Sequence, residues 1–425
     1  MLRKLMKEAP LVLYIFYVVY TPTFSSNVFA SKFVILTVLA GILLIPYVLT
    51  RDRGVWDLLS KPPVMTLMLA VFFGSLYLMV VKVVNGEASD TLDDLRVVQN
   101  NVANLMILNV AIILDQLKKR GFSKRQSFEV LLWLGSFQGV FSIAGLFIPW
   151  IREISYSLYA VSGADNVFVL ESRIFGFTGE FTYGTPIYHG ILAGTAFYYL
   201  VRNRSNYVVH IVLILITAGM NGRTGLVAFG AMSIITIVIL YGKRGNLLGM
   251  VAVFLATLGI ASIGISLLRD ISPTTYKFII SFIDDSTNLL FEGTATGNYG
   301  VLLDGLWRVP DGLGLIFGTG ERAYTGEPGF RSDVGFTNDL YAGGLVFVLL
   351  LYLALVGLLL RSSHGRFLLG IELVVVFFLA NFKGEVFHSS VILFVFVFLA
   401  LLSLRDDEDA PELSEGKNVR KYVGR

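Results

Sequence analysis

The sequence predicts an all-α protein, a polytopic transmembrane helical bundle of about 12 spans. Of its 425 residues, 55% are hydrophobic and only 15% are charged, and the mean hydropathy is +0.71. A soluble domain of this length carries more charge on its surface. Apolar stretches of roughly 20 residues recur along the whole chain, and this is the length that crosses a bilayer core as a helix.

The candidate spans are set by these apolar stretches, and the polar segments between them predict the loops. The spans are expected at 10–28, 32–50, 64–82, 97–115, 128–149, 185–201, 206–220, 224–241, 246–267, 337–360, 367–382 and 386–404. The basic start MLRKLMKEAP leads into the first run without a convincing small-residue cleavage site, so a retained span is expected rather than a signal peptide. Residues 1–404 form a single transmembrane domain in this prediction, and the polar tail 405–425 is expected to be disordered.

The distribution of basic residues predicts the orientation. RDRGVWDLLSK holds three basic residues and QLKKRGFSKRQ holds five, and the basic loops alternate with the span count. By the positive-inside rule these loops and both termini are cytoplasmic. The other side receives two long loops, 150–184 and 268–336, which the rule does not constrain. The prediction is therefore a multi-pass membrane protein whose two long loops lie on the side opposite the cytoplasm.

Several familiar chemistries are excluded or disfavoured. The sequence has no G-x-x-x-x-G-K-[ST] loop and no H-E-x-x-H motif, which argues against nucleotide hydrolysis and zinc proteolysis. There are no cysteines, so disulfides and thiolate chemistry are absent. The four histidines are scattered and do not predict a metal site. The net charge of +3 is too small to suggest a nucleic-acid partner.

Polar residues collect on the predicted outer side, in the segments before and between the late spans. They are Arg173, Glu180, Tyr183, His189, Arg223, Arg308, Arg322, Arg331, Asp333, Lys383, Glu385 and His388. Arginine grips phosphate in a two-pronged geometry, so converging arginines at this face would suit a lipid-linked diphosphate. A nearby carboxylate could take the proton of an attacking sugar hydroxyl. For each residue taken alone, a solvated loop charge is the simpler interpretation.

The choice between a solvated loop charge and a functional one is clearest in the segment MNGRTGLVAFG, residues 220–230. Arg223 lies at a short outward-facing turn between two spans, where the positive-inside rule gives it no role. A snorkelling arginine is one interpretation. Charge held near a membrane interior more often marks a substrate path, so a functional Arg223 is favoured.

Four motifs resemble the bacterial O-antigen polymerase (Wzy) family of the O-antigen polymerase and ligase superfamily. They are RIFGFTGEFTYGTPIYHGILAG before a span, NGRTG opening a span, WRVPDGLGLIFGTG in the large late loop, and RSDVGFTNDLYAGGLVFVLLLYLAL running into a span through paired glycines. The order of elements and the single dominant late loop are also similar. The resemblance covers most of the chain as a pattern.

The resemblance implies a membrane glycosyltransferase without cofactor or metal. Such polymerases transfer a growing glycan from undecaprenyl diphosphate to the non-reducing end of an incoming lipid-linked repeat at the periplasmic face. The implied partners are the undecaprenyl-diphosphate-linked oligosaccharide, membrane lipid and a chain-length regulator protein. O-antigen ligase, which transfers glycan to lipid A-core, and a transporter of lipid-linked oligosaccharide are the alternatives.

The resemblance also assigns roles to residues. Arg223 matches the family arginine that grips the diphosphate, and Arg173 matches the arginine of the earlier segment. Ligases carry a histidine at the place that Ser332 and Asp333 occupy here, which favours polymerase. Asp333 is the first candidate for the general base and Glu180 the second. The expected substrate-binding residues are Arg173, Arg223, Arg331, Arg322, Tyr183, His189 and Lys383, and Trp307 and Tyr324 could stack on sugars.

Overall fold

The computed structural model is built of helices. It describes residues 1–22, 32–85, 96–157, 176–178, 183–203, 206–242, 248–249, 266, 269–270, 273–294, 300, 306–324, 326–363 and 367–405, and none of these is in a strand. The helices are α1 (Leu2–Lys7), α2 (Ala9–Tyr20), α3 (Lys32–Thr50), α4 (Gly54–Leu59), α5 (Pro62–Val84), α6 (Arg96–Lys119), α7 (Lys124–Phe147), α8 (Pro149–Ser157), α9 (Gly184–Asn203), α10 (Val208–Asn221), α11 (Arg223–Gly242), α12 (Pro273–Thr287), α13 (Leu313–Phe317), α14 (Gly335–Ser362), α15 (Phe367–Asn381) and α16 (Ser390–Leu404), with a π-helical turn at Asn288–Glu292.

Helices lie at eleven of the twelve expected span positions, and the ninth position, 246–267, falls almost entirely outside the described residues. Four described helices are long and apolar enough to cross a membrane: Pro62–Val84, Lys124–Phe147, Arg223–Leu240 and Gly335–Ser362. Five shorter apolar helices accompany them. The chain is therefore a helical membrane protein, while the count of twelve and the sidedness of the loops remain predictions.

Local sequence signals fix several helix ends. The side chain of Ser123 accepts a hydrogen bond from the amide of Gln126, and the Gln126 side chain returns one to the Ser123 amide, which caps α7. Helix α2 ends at Tyr20, because Thr21 adopts a left-handed conformation (φ 38°) and Pro22 follows. The predicted first span, 10–28, is therefore interrupted at Thr21, and residues 23–28 lie outside the described part of the chain.

The last helix, α16, is the centre of the bundle. Every residue from Ser390 to Leu402 is buried, and α2, α6, α7, α9 and α14 pack around it. By contrast, α5 carries a broad exposed apolar face, which is what a lipid-facing helix requires. A helix that is apolar on all sides can be enclosed completely, as α16 is.

Glycines bring neighbouring helices into close contact. A Cβ atom added to Gly190 of α9 would lie closer than 3.0 Å to the carbonyl oxygen of Gly225 in α11. Gly139 of α7 approaches the carbonyl of Leu213 in α10 in the same way. Gly190 and Gly194, like Gly135 and Gly139, have the spacing through which membrane helices commonly pack.

One end of the bundle gathers the N-terminus, the α6–α7 turn and the end of α16. Lys4 Nζ donates to the carbonyl of Gly121 at 2.7 Å, and Arg120 Nε contacts Glu8 Oε2 at 2.6 Å. Arg405, expected to begin a disordered tail, is 2% exposed and donates to the carbonyl of Phe122 at 2.9 Å. The large late loop and the α15–α16 turn occupy the other end, which is called the loop end below.

Candidate functional site

The site is built where the start of α14 meets the α15–α16 turn at the loop end. A Cβ atom added to Gly335 would meet Asn381 Oδ1 at 2.8 Å and would approach the Gly384 carbonyl more closely still. Only a glycine therefore lets the two backbones pack this tightly. This contact holds Asp333, two residues before Gly335, beside the turn that carries Lys383 and Glu385.

A buried ion pair lies at the centre of the site. Arg322 Nη2 contacts Glu385 Oε2 at 2.7 Å, with side-chain exposures of 21% and 6%. His388 Nδ1 lies 3.1 Å from the same Glu385 oxygen. Burial opposes the charge of Arg322, but the Glu385 carboxylate and its hydrogen bond raise the pKa of the guanidinium above its ordinary value. Arg322 is therefore held as a cation at a place with little solvent.

A second ion pair joins Asp333 to Lys383 through Asp333 Oδ2. Both side chains are partly exposed, at 34% for Asp333 and 40% for Lys383. The other oxygen, Asp333 Oδ1, is shielded from solvent and has no hydrogen-bond partner among the described residues. A carboxylate with one oxygen held by an ammonium group and the other without a hydrogen-bond partner keeps a lone pair that could take a proton.

Aromatic side chains surround the two ion pairs. The Tyr183 ring packs directly over Gly384, where no Cβ atom would fit, and its phenol is close enough to interact electrostatically with Arg322. The Arg322 guanidinium also lies over the Tyr324 ring, 5.2 Å from its centre. Trp307 stacks on Phe382 at 5.1 Å. Tyr324 and Trp307 are 53% and 39% exposed, so both can present a ring face to a ligand.

Two of the other predicted residues are the arginines Arg223 and Arg331. Arg223 is half-buried at the start of α11, and its Nη2 donates to Ser281 Oγ of α12 at 2.9 Å. Gly225 packs on the carbonyl of Pro186, so the start of α11 lies against the segment that follows Tyr183. Arg331 is exposed, and its side chain packs against Gly326.

His189 is in the core rather than on the outer face. Its side chain is 1% exposed, and Nε2 is 3.0 Å from the Tyr20 hydroxyl. Helix α9 begins at Gly184, which places His189 in its second turn, inside the bundle. In this conformation it offers no surface to a substrate. Arg173 and Glu180 lie outside the described residues.

One carboxyl group at the site was not singled out from the sequence. Asp339 is 2% exposed, and the Tyr352 hydroxyl donates to its Oδ2 at 2.7 Å. It is near enough to Glu385 and Arg322 to interact with both electrostatically. The sequence signal that could have identified Asp339 is its position as an acidic residue inside a predicted apolar span, which commonly marks a functional position.

The fold and the site define a helical membrane protein with a cluster of paired charges at one end of its bundle. In the described part of the chain, no three histidine or acidic side chains are arranged to hold a metal ion. No protein-family model matches the chain, and no curated protein matches it at a significant score. The resemblance to O-antigen polymerases therefore depends on the sequence motifs and their order.

Proposed function

We propose that the protein is a surface-polysaccharide polymerase of the O-antigen type, acting at the periplasmic face of the inner membrane. It transfers a growing glycan from undecaprenyl diphosphate to the non-reducing end of an incoming lipid-linked repeat. The observation that supports this most directly is the Asp333–Lys383 pair, because Asp333 keeps one oxygen without a hydrogen-bond partner among the described residues. Three separate segments of the chain bring Tyr183, Arg322 and this pair to one end of the bundle.

In the proposed reaction, a sugar hydroxyl of the incoming repeat attacks the anomeric carbon of the donor glycan. The new glycosidic bond forms as the bond from the anomeric carbon to the diphosphate oxygen breaks, and the lipid diphosphate leaves. Asp333 accepts the proton of the attacking hydroxyl through Oδ1, and Lys383 holds the other carboxylate oxygen in place. The reaction needs no oxidant and no second co-reactant.

The leaving diphosphate is negatively charged, so the proposal requires cationic side chains at the same depth in the membrane as Asp333. Arg223 is the first candidate, Arg173 is the second because it matches the arginine of the family's earlier segment, and Arg331 is a further candidate. A guanidinium presents two parallel donors to a phosphate, which an ammonium group cannot do. The exposed ring faces of Trp307 and Tyr324 are suited to sugars, since aromatic rings pack on apolar sugar faces.

The two alternatives, a ligase and a transporter, predict different arrangements of polar residues. A ligase of this superfamily carries a histidine near the place of Ser332. Here Ser332 is buried, and its hydroxyl donates to the Leu306 carbonyl at 2.7 Å. A transporter needs polar groups that continue through the membrane. The buried Glu372, whose Oε1 accepts a hydrogen bond from Thr236 at 2.5 Å, is such a group and is the observation that favours this alternative.

The test compares the ladder of glycan chain lengths in glycan-producing cells before and after deletion of the gene. Loss of the ladder with a single repeat left on lipid A-core supports the polymerase. Full-length polymer stranded on the lipid carrier would make the protein a ligase, and lipid-linked repeats accumulating on the cytoplasmic side would make it a transporter. Wild-type protein restored to these cells should recover the ladder.

The residue test compares Arg223→Ala and Arg223→Lys at normal protein level. Loss of polymer with alanine, and little recovery with lysine, is expected because lysine keeps the charge but loses the fork. The matched control is Arg361→Ala, an exposed arginine at the far end of α14. Normal chain length in Arg223→Ala cells would exclude the diphosphate role of this residue.

A further inference from the structure

The 310–320 segment of the large late loop forms a hairpin against the outer half of α5 and α14. It contains the five-residue helix α13, Leu313–Phe317, between Gly312 and Gly318, both of which have positive φ. Gly318 packs on Gly343, so that an added Cβ atom would lie 2.5 Å from the Gly343 Cα. The contacts with α5 run from Gly320 beside Lys82 to the carbonyl of Phe317 beside Tyr77.

The hairpin descends along α5 rather than lying across its end. Tyr77 is seven residues before Val84, the last residue of α5, and at ~1.5 Å rise per residue this is a descent of ~10 Å. Helix α5 is one of the four helices long and apolar enough to cross a membrane. The tip of the hairpin therefore lies at the depth of the outer part of the bilayer core, if α5 spans the bilayer.

The outward face of the hairpin is apolar at that depth. Leu313 is 74% exposed, Ile316 43% and Phe317 50%. On α5, Val80 and Val83 are 59% and 67% exposed. An apolar face beside a lipid-facing helix is continuous with the surface that the bilayer covers.

The returning limb of the hairpin has its backbone polar groups bonded to α5 and α14. The carbonyl of Phe317 accepts a hydrogen bond from the Tyr77 hydroxyl at 2.8 Å, and the carbonyl of Thr319 accepts one from Asn85 Nδ2 at 2.9 Å. The amide of Thr319 donates to the carbonyl of Tyr341 at 2.8 Å. Non-helical backbone at membrane depth is tolerated only where the protein satisfies its polar groups in this way.

Charged residues flank the apolar tip and none lies within it. Asp311 precedes α13 and Glu321 follows the hairpin, and both are close enough to the Tyr341 side chain to interact with it electrostatically. The residues from Gly312 to Gly320 are uncharged. The hairpin therefore has an apolar tip, Gly312–Gly320, between two acidic residues, Asp311 and Glu321. This pattern is expected for a segment that enters a bilayer and returns to the same side.

We infer that the 310–320 hairpin is a re-entrant segment whose Leu313, Ile316 and Phe317 side chains contact the acyl chains of the outer leaflet. Because Arg322 follows Glu321, the charged cluster then lies on the water side of the acyl chains. The lipid contact does not depend on the proposed glycan transfer, so either can fail alone. A loop lying in water above the membrane is the alternative that the following experiment can detect.

The test places a single nitroxide label at Leu313→Cys or Phe317→Cys in the full-length protein, reconstituted in phosphatidylethanolamine and phosphatidylglycerol vesicles. The chain has no native cysteine, so the label is unique. Collision with oxygen, which partitions into lipid, is compared with collision with a water-soluble nickel chelate. The lipid-facing control is Val80→Cys on α5, and the water-facing control is Tyr324→Cys, which is 53% exposed in the same loop.

The expected result is a ratio of oxygen to nickel collisions at Leu313 and Phe317 that is closer to the Val80 value than to the Tyr324 value. A ratio closer to Tyr324 at both positions would overturn the inference. Ile316→Cys supplies a further position if one variant does not reconstitute. Loss of polymer in cells has no bearing on this measurement, which reports depth alone.

Discussion

The break in α14 at Gly344 provides the sharpest stability test. Gly344 has φ 64° and ψ −168° inside an otherwise continuous helix, Gly335–Ser362. This backbone region is essentially restricted to glycine, and holding another residue there costs ~1–3 kcal/mol. The hairpin described above packs on the same residue. We therefore expect Gly344→Ala to destabilise the protein through both strain and contact.

The contact contribution can be worked from the structure. A Cβ atom on residue 344 would lie 2.5 Å from the amide nitrogen of Gly318 and from the carbonyl carbon of Ile316. Both are backbone atoms, so no side-chain rotation relieves the overlap. Overpacking of this kind costs ~1–3 kcal/mol. Added to the strain, the expected loss in unfolding free energy is ~2–6 kcal/mol.

The assay is unfolding of the purified protein in detergent, monitored by circular dichroism, with Gly357→Ala as the matched control. Gly357 lies in the same helix, and an added Cβ atom meets nothing within 4 Å. Alanine in a regular helix is favoured over glycine by up to ~1 kcal/mol, so this control should be neutral or slightly stabilised. A Gly344→Ala protein as stable as the control would refute the reasoning.

Two further stability predictions concern charged side chains. Arg405→Ala should lower the unfolding free energy by about 3 kcal/mol, since this 2% exposed guanidinium donates to three buried oxygens. Arg405→Lys should restore only part of that stability. An alanine variant as stable as the wild type would show that Arg405 does not anchor the end of α16. A double-mutant cycle between Arg322 and Glu385 should give a coupling energy of about 2 kcal/mol in the same unfolding assay. The exposed Arg125–Glu129 pair, with Arg125 at 65% exposure, is the control and should give about 0.3–0.5 kcal/mol; equal coupling in both pairs would argue against a buried site.

The positions of the helices could be predicted from apolar length because a bilayer imposes that length. The predicted spans 32–50 and 224–241 lie within two residues of α3 and α11. The helices inside the large late loop could not be found this way. Helix α13 has only five residues between glycines, and its stability depends on packing against α5 and α14, which are distant in sequence. The apolar spacing in NYGVLLDGLWRV also predicts a short helix. This segment falls partly outside the described residues, and the backbone from Trp307 to Pro310 is not helical.

The sequence indicated which segments lie at the site, but not which charged residues pair with each other. Charge placement alone indicated that Arg322, Asp333 and Lys383 share one side, because each lies in a loop of the same predicted sidedness. The partner of each charge depends on how α14 and the α15–α16 turn pack, and a sequence pattern does not contain that information. His189 shows the limit clearly, because the predicted span 185–201 already contains it, but only the packing of the helices decides that its ring lies in the core beside Tyr20.

The break at Gly344 also explains how one helix serves both the membrane and the site. An unbroken helix over 28 residues would be ~42 Å long, which exceeds the ~30 Å hydrocarbon core of a bilayer. Residues 345–362 alone give 18 residues and ~27 Å, close to that thickness. The nine residues before the break, 335–343, are then released from spanning, and they carry Asn338 and Asp339 into the polar end of the bundle. The break also frees the carbonyl of Tyr341, which accepts the amides of Thr319 and Gly320 at 2.8 and 3.1 Å. The paired glycines therefore join the hairpin to the segment that carries Asn338 and Asp339.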